Sequence, residues 1–153
     1  MAATMCFIPY LATKTVPVLV PHGQHPSGTA LRQVRPDQQA ILDKFTLPHA
    51  AEIKLATGCG CWLRHVDCED PDYHVELLLT QPDYDPSNEQ DNHDSLVDYL
   101  QTHFRQDGFV EFFGYFNGDA SQPARAHKEI PVTAICHPHF HFHGGTLYRL
   151  VFE

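Results

Sequence analysis

Short apolar runs broken by proline and glycine make up most of the hydrophobic pattern. Cys6 to Leu11 and Val16 to Val20 are β-branched or aromatic runs punctuated by proline, which predicts two strands near a sheet edge. Pro21 to Ser27 is a loop. Pro36-Asp37 opens a short helix through Phe45, with Ile41, Leu42 and Phe45 on one stripe. Ala51 to Ala56 and Gly60 to Val66 form two strands joined at Thr57-Gly58, while Tyr73 to Leu79 fits strand or helix equally. Gln81 to Asn92 is a polar, proline-marked stretch and predicts an acidic surface loop. Beyond it Leu96, Val97, Leu100 and Phe104 keep helical spacing, with Asn92 or Asp94 as the N-terminal cap and Gly108 at the C-terminal cap.

Phe109 to Phe116 is almost continuously apolar, as a central strand covered on both faces must be, and Asn117-Gly118 provides a turn toward a strand at His127 to Val132. Gly144-Gly145 then separates His137 to His143 from Thr146 to Phe152, which predicts a C-terminal hairpin pairing His143 with Thr146, His141 with Tyr148, His139 with Leu150 and His137 with Phe152. Together these elements describe an α+β protein. Its sheet is mainly antiparallel, with about six short strands, two helices and a terminal β-hairpin, in one domain spanning 1–153 with the acidic loop 81–92 inside it. A length of 153 residues with 42% hydrophobic content suits one core better than two.

Charge narrows the partners. The formal net charge is −9 and the ten Lys and Arg are scattered, which opposes nucleic-acid binding. From His65 to Phe104 there is no Lys or Arg and there are eleven acidic residues, a solvated face that could dock a basic protein partner. Twelve histidines carry the net charge from −9 at neutral pH to +3 when all are protonated. No apolar run approaches the ~20 residues of a membrane span, so no membrane association is expected. Met1 to Val20 lacks a basic start and is interrupted by Pro9 and Pro17, and the five cysteines are an odd count; both favour a cytoplasmic location.

The most specific chemistry is the alternation His137-Pro138-His139-Phe140-His141-Phe142-His143. As a strand it would stack four imidazoles on one face, with neighbours about 7 Å apart, a spacing from which two can converge on a transition metal. Zinc, nickel, copper and iron are the candidate ions, with His139 and His141 at the centre of the site. The competing reading makes these rings ordinary strand residues packed beside Tyr148, Leu150 and Phe152. A second cluster, Cys59, Cys61 and His65 with Cys68 nearby, has the donor types of a structural zinc site, although its ligands crowd into one segment and buried thiols are commonly plain core residues.

The spacing of oxygens from Asp83 to Asp94 is partly that of a calcium loop, but Asn88 replaces the turn glycine and Asp94 the final glutamate. No phosphate-binding glycine loop, nucleophile elbow or His-Glu-x-x-His motif occurs, so no nucleotide cofactor is expected and no catalytic residue can be named. A catalytic metal would make metal-assisted hydrolysis or metal-dependent redox chemistry the reaction class. The chain therefore reads as a small α+β protein with a metal-binding histidine strand, or else as an interaction module with an acidic docking surface.

Overall fold

A computed structural model describes residues 7–21, 28–55, 63–66, 86–116 and 123–153. The strands are β1 (Phe7–Thr13), β2 (Ala30–Arg32), β3 (His49–Lys54), β4 (His65–Val66), β5 (Phe109–Phe116), β6 (Ala126–Pro131), β7 (Phe142–His143) and β8 (Thr146–Val151). Six of them form one sheet in the order β2-β3-β1-β5-β8-β6, antiparallel throughout except for the parallel pair β6–β8. A 3₁₀ helix at Pro36–Lys44 and the α-helix α1 at Pro86–Phe104 complete an α+β architecture. No described helix is long and apolar enough to cross a membrane.

The central strands are apolar at consecutive positions because both faces are covered. Val110 and Phe112 of β5 join Phe7, Leu11, Tyr148 and Leu150 in a core shared with Leu96, Val97, Leu100 and Phe104 of α1. Phe113 and Tyr115 join Ile8, Tyr10, Leu147 and Ile41 in a second core on the opposite face, with Ile41 supplied by the 3₁₀ helix. A period of two thus divides one apolar run between two cores. Gly114 is required on the first face: a Cβ there would overlap the ring of Phe7.

Several sequence expectations are corrected. β1 is an interior strand, not an edge. Its ladder with β3 begins at Tyr10, one residue after Pro9, so the proline has only β5 beside it. Val16 to Val20 touches the sheet through a single bridge, Leu19 to Leu31, and leaves Val16 and Val18 exposed, because Pro17 and a three-residue β2 give it little to pair with. The expected loop 81–92 is helical from Pro86 onward, which also removes the calcium-loop geometry from 86–94 and the caps at Asn92 and Asp94. Proline suits a first helical turn, where its missing N–H has no partner to lose. Glu89, Asn92 and His93 extend the buried stripe of Leu96, Val97 and Leu100 backward by two turns. The helix ends as expected: after a 3₁₀ turn at Arg105–Asp107, Gly108 takes φ 83° and its N–H reaches Arg105 O at 3.3 Å.

The Gly144-Gly145 turn is present, with Gly145 at φ 78°, but its flanking strands belong to different sheets. β8 lies between β5 and β6, while β7 pairs in parallel with β4 (His65↔Phe142, Val66↔His143). The expected histidine–β8 register is therefore absent. The places beside β8 are filled by strands offering six and five paired positions, more than a two-residue β7 can supply. The Asn117-Gly118 turn, Tyr73 to Leu79 and Gly60 to Trp62 lie outside the described residues, and of the expected strand from Gly60 to Val66 only His65–Val66 is extended among residues 63–66.

Candidate functional site at the histidine-rich turn

Residues His137 to His141 form an irregular turn, and only Phe142–His143 is extended enough to pair. The reason lies in three polar side chains. Phe140 N–H reaches back to His137 O at 2.9 Å and closes the turn. Arg64 then donates to the turn's carbonyls, from Nε to Phe140 O at 2.8 Å and from Nη2 to His137 O at 2.8 Å. Its remaining arm, Nη1, reaches Gln90 Oε1 at 2.9 Å, and Gln90 Nε2 donates in turn to Cys136 O at 2.9 Å and to Asp94 Oδ1 at 2.9 Å. One guanidinium reaching both carbonyls favours the turned backbone that brings them together over an extended one that would separate them.

His93 locks the same region from α1. Its ring is fully buried, accepting the Arg64 N–H at Nε2 (2.7 Å) and lying 2.9 Å from Ile135 O at Nδ1. Both bonds are satisfied by one neutral tautomer, protonated at Nδ1. Burial, and secondarily the positive charge of Arg64, lowers its pKa from 6.5 to about 3.

Aromatic packing fixes which side of the run faces inward. Phe142 is buried and stacks on Phe112 at 4.0 Å between centroids, against His93 at 5.6 Å, and edge-on to Tyr148 at 5.6 Å. Phe140 packs edge-on to Phe142 at 4.9 Å. The phenylalanines thus occupy the positions beside Tyr148 that the competing sequence reading gave to histidines. The imidazoles point the other way: His137, His139 and His143 are exposed and His141 is half-buried.

Their nitrogens are not equivalent. His137 and His139 lie 5.5 Å apart between ring centroids, and His137 Nδ1 accepts the His139 N–H at 3.1 Å, which places its proton on Nε2. His141 Nδ1 lies 3.0 Å from His139 O and donates to it, which leaves the lone pair on Nε2. His143 N–H donates to Tyr148 Oη at 2.7 Å. The His143 imidazole has a lowered pKa, by partial burial first and then by the Lys128 and His141 charges. Burial pushes the Tyr148 hydroxyl up to about 12.

His65 of the second cluster is beside the run in backbone, paired with Phe142 in the β4–β7 ladder, but its ring packs into the core. It is buried, stacks on Phe7 at 4.5 Å and 10°, and has Nδ1 2.6 Å from Leu63 O. Cys59 and Cys61 lie outside the described residues. Among the described residues no group of three or more His, Cys, Asp or Glu side chains converges as a metal site would require. The sequence reading missed Arg64, Gln90 and His93. His93 was legible, since it precedes Leu96, Val97 and Leu100 by three, four and seven residues on one stripe. The reach of Arg64 to a turn more than seventy residues away left no local mark.

Comparison with protein-family models, with curated proteins and with solved structures finds no match. The functional reading therefore rests on the geometry above.

Proposed function

We propose that the histidine-rich turn binds a divalent transition metal ion, with His137, His139 and His141 as its protein ligands. The observation that carries this reading is the proximity of two exposed imidazoles, His137 and His139, at 5.5 Å on a turn whose backbone is held by Arg64. His141 supports it through an Nε2 lone pair set by the bond at its other nitrogen. Exchange of the His137 Nδ1 bond for metal is the rearrangement that binding requires. With the described residues offering no preformed group of three, water completes the coordination sphere. Imidazole donors favour copper, nickel and zinc over iron. An ion with open positions would also lower the pKa of its bound water toward ~7, so metal-assisted hydrolysis is the reaction class to examine after binding itself.

The test is elemental analysis and native mass spectrometry of untagged protein, followed by calorimetric titration with Zn(II), Ni(II) and Cu(II). One ion bound per chain, lost in the His139→Ala, His141→Ala double variant while the circular dichroism spectrum stays unchanged, is the expected result. Equal uptake by the variant removes the turn from consideration.

A second reading, docking of a basic protein partner, is favoured by the exposed stripe Asp91, Asp94 and Asp98 along α1. Such docking weakens steeply between 50 and about 500 mM salt, whereas imidazole coordination responds instead to chelator.

A further inference from the structure

We infer that the face of the sheet opposite α1 carries a separate binding site, for a small organic anion with an apolar body. A cleft of about 400 Å³ opens there across β5, β8 and β6 and is closed on one side by the end of the 3₁₀ helix. This volume is in the range of small-molecule sites. Leu147 and Phe109 give it an apolar floor, and Lys44 and Arg149 stand on it from different elements.

Strand register decides which side chains belong to this face. His127 lies beside Leu147 and Glu129 beside Arg149, so these four share the cleft side, while Lys128 lies beside Tyr148 of the opposite core and acts on His143. The charged or titratable groups lining the cleft are thus Lys44, Arg149, His127, Glu111 and Glu129, and Lys128 also lines it although its register position is on the opposite face.

The carboxylates are already engaged. Glu111 is buried and accepts three bonds, from the Thr46 N–H at 2.9 Å, the Leu47 N–H at 2.8 Å and the Thr46 hydroxyl at 3.0 Å. It fixes the rim of the cleft and does not serve as a cation ligand. Glu129 meets Arg149 Nε at 3.5 Å, with both side chains largely in solvent, a pair that an incoming anion displaces at little cost. The cations are positioned by aromatic faces. The Arg149 guanidinium lies 3.7 Å from the Phe109 centroid, Lys14 lies 4.4 Å from the same ring, and Lys44 lies 5.6 Å from Phe113. A guanidinium has five N–H donors, of which Glu129 takes one. With Lys14 over the Phe109 ring, three cations stand against the two bonded carboxylates, a local excess of positive charge in a chain of net charge −9. A carboxylate, sulfonate or phosphate on a hydrophobic skeleton matches it, and a cation does not.

The experiment is ¹⁵N–¹H correlation spectroscopy of the full chain titrated with 2-naphthoate, and in parallel with the neutral 2-naphthamide. Naphthoate is expected to produce saturable shifts at the amides of Phe109, Glu111, His127, Leu147 and Arg149, with the amide binding about tenfold more weakly or not at all. Arg149→Gln and Lys44→Gln each weaken naphthoate by about tenfold, the loss of one charge-assisted contact. Lys54→Gln, the same charge change on β3 away from the cleft, leaves affinity within about twofold. Any of three results overturns the inference: no saturable shifts at those residues, equal binding of acid and amide, or wild-type affinity in both the Arg149 and Lys44 variants.

Discussion

Acidification should unlock the histidine-rich turn through one residue, His93. In the folded chain its ring is neutral, because burial and the neighbouring Arg64 hold its pKa at about 3, and both nitrogens are bonded in that form. In the unfolded chain the same ring titrates near 6.5. Between those values the unfolded state binds the proton and the folded state does not, so the stabilisation is complete above pH 6.5 and is lost as pH falls toward 3. Each pH unit below 6.5 removes about 1.4 kcal/mol, giving a loss of about 2 kcal/mol between pH 7 and pH 5. Any folded pKa below about 4 gives the same loss at pH 5, since the unfolded value sets it.

Urea unfolding followed by tryptophan fluorescence or circular dichroism at pH 7, 6 and 5 measures this directly. With a slope of about 2 kcal/mol/M the midpoint should fall by about 1 M from this residue alone. His93→Gln isolates the contribution, because an amide can accept from the Arg64 N–H and donate to Ile135 O without titrating. Its pH 7-to-5 loss should be smaller than wild type by about 2 kcal/mol. Equal pH dependence in the two proteins would refute the assignment of a buried neutral imidazole.

Two further perturbations address the frame of the site. Gly114→Ala should destabilise by about 1–3 kcal/mol through overlap of the new methyl with the Phe7 ring, and Phe7→Leu should recover part of that loss in the double variant; additive effects in denaturant unfolding would contradict the close approach. Arg64→Met should cost about 3 kcal/mol or more by removing donors to Phe140 O, His137 O and Gln90, and hydrogen exchange should accelerate at the Phe140 amide, which the His137 carbonyl holds in the native turn. Unchanged exchange there would mean that the turn holds its shape without the arginine.

Local chemistry made much of this fold readable from sequence. Ile41 behind Pro36, the spacing of Leu96, Val97, Leu100 and Phe104, the glycine stop at Gly108, and the uninterrupted apolar run of β5 each depend on periodicity or on a backbone preference within a few residues, whereas Leu42, expected on the stripe of Ile41 and Phe45, is exposed. The alternation in the histidine run was informative as well: aromatic and imidazole side chains do separate to opposite sides there.

Tertiary structure decided the rest. Whether His137 to His143 continues as a strand depends on which donors reach its carbonyls, and Arg64 donates to two of them across long sequence separations. Which strand lies beside β8 was settled by competition, in which β5 and β6 offer longer ladders than β7 can. The gathering of Lys44, Phe109, His127 and Arg149 around one cleft likewise follows from strand order and register. A sequence states which face of an element is apolar, because that is a local periodicity. It does not state which distant partner will cover that face or satisfy its backbone, because that choice is made among all segments at once.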